Sequence, residues 1–158
     1  MSTTLGGLNR DDLVSTPDVM RTIMAEADIA IPVGSMCAID VGNSTDGKLL
    51  VDVAAANEDF CCIGVYTGVG GTGSATSTSG LTGHDAVDGD QVEICVYGAI
   101  NALTDGSSAA LVDRDSLQVA ASGKLITGIT EDTAGVLNRW LCLEASSADG
   151  ASRVFIFA

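Results

Sequence analysis

Short apolar runs, each closed by glycine and aspartate, constrain this chain more than any other feature. Val33-Gly34-Ser35-Met36-Cys37-Ala38-Ile39 is one such run. A second is Gln91-Val92-Glu93-Ile94-Cys95-Val96-Tyr97, which follows the turn Asp88-Gly89-Asp90 and meets a small-residue corner at Gly98-Ala99-Ile100. Runs of this length are too short for most helices, and their Gly-Asp punctuation supplies the backbone freedom of tight turns. Further turn signals stand at Asp46-Gly47, Asp105-Gly106, Ser122-Gly123 and Asp149-Gly150. Nineteen glycines against two prolines fit the same reading. The predicted strands are 36–41, 49–54, 60–67, 91–97, 99–103, 117–121, 125–130, 137–144 and 153–157. Short strands at this spacing predict an all-β fold, a compact sandwich or barrel.

The first 28 residues read differently. Thr16 is a candidate N-cap, Pro17 suits the first helical position, and Asp18 suits the positive end of the helix dipole. Val19 and Ile23, with Met20, Met24 and Ala27, recur at helical spacing. The expectation is an N-terminal arm, 1–28, carrying one short helix over 17–27, followed by a single β domain, 29–158. The Gly/Ser/Thr-rich stretch Gly68–Gly83 is expected to be an exposed, mobile loop.

A net charge of −14, from 7 basic and 21 acidic side chains, disfavours binding to nucleic acid or to an anionic membrane. No apolar run approaches the roughly 20 residues of a membrane span, and no secretory leader is visible. The five cysteines lack C-x-x-C spacing and fall in apolar runs, so they are read as buried, reduced thiols of a chain assembled in a reducing cytoplasm. With a single histidine, His84, a zinc site is not expected, and no cofactor is expected either.

Three constellations invite chemistry and are set aside. Gly68-Val69-Gly70-Gly71-Thr72-Gly73 matches G-x-G-x-x-G, but the following Ser-Ala-Thr-Ser-Thr-Ser is a poor helix, and pyrophosphate binding needs a helix N-terminus there. Asp40, Asn43, Ser44 and Asp46 lack the closing glutamate of a helix-loop-helix calcium site. The pairs Asp88/Asp90 and Asp113/Asp115 read as turn carboxylates, with weak divalent binding between subunits as the competing reading. No nucleophile–histidine–carboxylate pattern emerges, so an enzyme is not expected.

The ordered succession Ile31-Pro32-Val33-Gly34-Ser35-Met36-Cys37, Ile63-Gly64-Val65, Val87-Asp88-Gly89-Asp90-Gln91-Val92 and Tyr97-Gly98-Ala99-Ile100 resembles the small decoration (cement, or head-stabilising) proteins of tailed bacteriophages. The resemblance runs from about residue 29 to residue 158. It departs from that pattern in the 68–83 stretch, which looks like an insertion, and in its longer N-terminal segment. It implies a virion structural protein on the outer surface of the expanded head. Its partners would be the major capsid protein and its own copies, as a homotrimer or a dimer. The candidate capsid or subunit contacts are Leu5, Leu8, Arg10, Leu13, Val19, Met20, Arg21, Ile23 and Met24. The rival reading is a fibre or adhesin module that binds a host receptor or glycan, against which the low aromatic content, 4%, tells.

Overall fold

The computed structural model describes residues 4–5, 8–9, 20–44, 47–56, 61–74, 79–107, 110–112, 116–128 and 140–156. Its strands are β1 (Thr4–Leu5), β2 (Leu8–Asn9), β3 (Arg21–Ala27), β4 (Met36–Ile39), β5 (Leu50–Val53), β6 (Cys62–Tyr66), β7 (Gln91–Asp105), β8 (Leu117–Val119), β9 (Leu125–Thr127), β10 (Trp140–Cys142) and β11 (Asp149–Ile156). One 3-10 turn, Ala121–Gly123, lies between β8 and β9. The protein is all-β, as its punctuation predicts. Nine strands form one mixed sheet, and β1 and β2 pair with each other in a second.

Strand β7 organises everything else. Its first half lies between β3 and β6, and the order β7-β3-β5-β4-β6 returns to β7, closing a five-stranded barrel. Closure removes most of the sheet edges that an open sheet would expose. Its second half pairs with β11 over eight residues, from Gly98↔Ile156 to Asp105↔Asp149. Strand β10 lies outside β11, β9 joins β7 at Thr104↔Leu125, and a Ser116↔Leu141 bridge brings the start of β8 back to β10. The expected corner at Gly98 is therefore not a break between two strands. The strand continues through it, and the positive φ of Gly98, +119°, lets it turn from one core to the other.

The described residues form two cores, and the β4/β6 wall separates them. Cys37 and Tyr66 join Val51, Val92 and Ile94 inside the barrel. The alternate residues Met36, Ala38 and Val65 face Leu117, Leu125, Trp140, Val154 and Ile156 on the other side. The two-residue period of a strand is what lets one wall serve both. At the seam, Thr104 and Ser152 satisfy each other's hydroxyls at 3.2 Å. Ser35 is also fully buried, but its Oγ has no hydrogen-bond partner among the described residues. A buried orphan hydroxyl costs about 1–3 kcal/mol. Ser35→Ala is therefore expected to stabilise the fold by about 1 kcal/mol, read as a raised urea midpoint with an unchanged slope.

The sequence reading is corrected at the N-terminal side. Residues 21–27 are not helical: they form β3, a barrel strand between β7 and β5. The proposed arm therefore loses its last residues to the sheet. Ile23, Ala25 and Ala27 pack inward, while Thr22, Met24 and Glu26 face outward. That strict alternation was present in the sequence, but so short a segment also satisfies helical spacing, and the choice fell to the strand because β7 and β5 offer it ladder partners. The capping residues Thr16 to Asp18 lie outside the described residues.

Candidate functional site

Of the candidate contact residues, Leu5 and Leu8 lie in the β1–β2 pair. Arg10, Leu13 and Val19 lie outside the described residues. Met20 is 39% and Met24 56% exposed, Met24 on the outward side of β3, and Arg21 is exposed at the start of the same strand. Ile23 belongs instead to the barrel interior, packed against its core. Arg21 stands over the Tyr97 ring at 5.9 Å, and Tyr97 meets Phe155 edge-on at 5.4 Å. Further along β3, Glu26 holds Lys48 at 3.1 Å and accepts from Gln91 Nε2 at 3.0 Å. Exposed methionines, and a cation stacked on an aromatic ring at the start of the same strand, are side-chain chemistry enriched in protein interfaces. Tyr97 and Phe155, both half-buried, are not among the candidates that the sequence offers. Only the pairing of β3, β7 and β11 brings them together.

The 68–83 stretch has no regular structure where it is described, but it is anchored rather than loose. Glu93 N donates to Val69 O at 3.0 Å, His84 N to Gly68 O at 3.1 Å and Gly73 N to Asp85 O at 2.9 Å. Thr72 gives its N–H and its hydroxyl to the Asp90 carboxylate at 2.8 and 2.9 Å. Gly70, with φ +94°, lies so close to the Gln91 carbonyl that no side chain fits. The glycines of the G-x-G-x-x-G match thus serve close backbone packing rather than a phosphate.

The acidic turns have the same structural logic. Asp90 also accepts from Val87 N at 2.8 Å, and these backbone donors hold its carboxyl below the usual range. A carboxyl with a depressed folded-state pKa stabilises the fold above its unfolded value, about 3.9. That contribution is lost as pH falls through the folded value. Asp90→Ala is expected to loosen this turn at neutral pH, seen as faster amide exchange at Thr72 and Val87 and an acid response flatter than wild type. Asp40 accepts from Gly42 N, Asn43 N and Asn43 Nδ2 at 2.8–3.0 Å, and Asn43 above all holds it low. Asp28 is pushed up, chiefly by its hydrogen bond to Asp40. Among the described residues, no group of three or more His, Cys, Asp or Glu side chains is placed to hold a metal ion. The cysteines are reduced thiols: Cys37, Cys62, Cys95 and Cys142 are buried and Cys61 is half-buried.

No protein-family model and no curated protein sequence matches this chain. Solved structures do. The N-terminal base of the head fibre gp8.5 of bacteriophage phi29 aligns with a TM-score of 0.54 at 14% identity, covering 87% of this chain and 94% of that one. A chain of the capsid of the Myoviridae phage XM1 aligns with a TM-score of 0.54 at 17% identity, covering 87% of this chain and 83% of that one. The fold is one found in phage heads. At these identities the likeness is of backbone architecture.

Proposed function

We propose that this protein is a virion structural protein that binds the outer surface of the expanded phage capsid. There it clamps neighbouring shell subunits against the outward pressure of packaged DNA. The observation that carries this reading is the fold shared with two phage-head chains over 87% of the sequence. The physics fits. A clamp that binds only the assembled shell stabilises it by mass action, and several modest contacts in one oligomer gain by effective concentration. The charge of −14 suits a protein outside the shell, away from the genome. Met20, Arg21 and Met24, together with the segment before them, are assigned to contacts with neighbouring subunits, either of the shell or of a second copy. The role is non-enzymatic.

The likeness to a head-fibre base favours one second reading, a module that seats a fibre on the head. Co-sedimentation with expanded, undecorated heads and with unexpanded procapsids tests both. Saturable binding to expanded heads, with a copy number matching the local symmetry sites and a raised bursting temperature, is the expected result. Binding at a few sites per head with no gain in shell stability would favour the fibre seat. No binding by the folded protein would overturn both.

A further inference from the structure

The barrel is closed along most of its length but not along the whole of β3. Ala27 N donates to Asp90 O on the β7 side, whereas Glu26 N and Asp28 N donate to Leu49 O and Val51 O on the β5 side. Even-numbered residues of β3 therefore present their backbone groups toward β5. The parallel β3–β5 ladder comprises only Glu26↔Leu50 and Ala27↔Val51. Toward the start of the strand, Thr22 and Met24 have no ladder partner on that side among the described residues, while β7 continues beside them on the other. Thr22 is exposed, and Met24 is 56% exposed. A short open edge beside exposed apolar side chains is a template for another strand.

The same chain supplies a strand in search of a sheet. Strands β1 and β2 pair only with each other among the described residues, apart from the nine-stranded sheet. Ten residues lie between Asn9 and Met20, and the eleven steps from one to the other span roughly 36 Å when extended. That exceeds the roughly 15 Å radius of gyration expected for a chain of this length. Folding the segment directly back onto its own β3 edge as a tight hairpin is disfavoured by its chemistry. A tight hairpin there would place Val19-Met20 in a turn that favours Asn-Gly or Gly. It would also set Pro17, which has no N–H, opposite Thr22.

We propose that the open edge of β3 receives the N-terminal strand segment of a second copy of this chain, so that the protein self-associates by exchanging arms. This concerns the free protein and does not rest on capsid binding. The occupant contributes backbone pairing at Thr22 and Met24 and covers the methionine surface.

The test uses the full-length chain. The mass from light scattering at tens of micromolar is expected to be a multiple of the 15.9 kDa protomer. Met24→Lys, which places a charge on the edge, and Leu5→Asp combined with Leu8→Asp, which alters the arm, should each reduce it to one protomer with an unchanged circular dichroism spectrum. Val69→Lys, at a comparably exposed apolar site on the glycine-rich loop, should leave the oligomer intact. A wild-type protein of single-protomer mass overturns the proposal. So does an oligomer that survives both the edge and the arm substitutions. Because these measurements need no heads, failure here leaves the capsid reading to its own sedimentation test.

Discussion

Gly64→Val is expected to abolish stable folding or to lower the melting temperature by about 10 °C. At least about 3 kcal/mol of overpacking translates to that shift at 2–4 °C per kcal/mol for a chain of this size. Gly64 sits in β6, where the barrel closes onto β7. A Cβ at this position would overlap the Cys95 carbonyl oxygen, with the Cys95 carbonyl carbon at 2.8 Å and Ile94 Cγ2 at 3.0 Å. The obstacle is backbone, so no rotamer change relieves it, and the strands can separate only by giving up the pairing that closes the barrel. Gly89→Ala is the control. Gly89 has φ +87° but nothing within 4 Å of an added Cβ, so only the left-handed conformation is charged against it, about 1–2 kcal/mol. Equal melting temperatures for the two variants would show that the approach of β6 to β7 is not what Gly64 serves.

Tyr66→Ala is the second large effect, expected to cost about 3–5 kcal/mol by analogy with other buried aromatic deletions. The side chain is fully buried in the barrel core, and its hydroxyl donates to the His84 carbonyl at 2.7 Å. Tyr66→Phe keeps the ring and loses that bond, so it should cost about 1 kcal/mol, with amide exchange rising first between residues 68 and 74. Burial also raises the phenol from its ordinary 10.0 to about 12 and, more strongly, the Cys37 thiol from 9.0 to about 12. Both groups are favoured in their protonated forms by the fold. Their contributions are complete below the unfolded values and vanish as pH rises toward 12. Chemical denaturation should therefore show stability falling above pH 9, with Tyr66→Phe and Cys37→Ala each removing part of the slope. A slope unchanged in both variants would place the alkaline loss elsewhere.

The strands of the β domain were legible because their faces alternate and glycine or aspartate ends them. β4, β5 and β6 fall inside the spans that Met36, Leu49 and Phe60 open. Three features were not. The segment Arg21–Ala27 satisfies two periods at once, and only the neighbouring strands decide between them. Gly98 reads as a corner, yet a glycine with positive φ can bend a strand without ending it. Asp149-Gly150 reads as a turn but opens β11, because pairing with Asp105 and Thr104 recruits it. The proposed contact surface was half legible. Met20, Arg21 and Met24 could be named from their apolar and basic character, but the open edge beside them depends on where the β3–β5 ladder stops. No local pattern encodes that.

The meeting of β3 and β11 on β7 has a practical consequence. Arg21 is in register with Tyr97, and Ile156 with the adjacent Gly98. The chain therefore enters and leaves its main sheet at neighbouring points. A bulky group attached next to Ile156 would crowd the start of β3 at Arg21. A display tag inserted at Gly47, where an added side chain meets nothing within 4 Å, would stand clear of that junction and leave both chain ends to their own contacts.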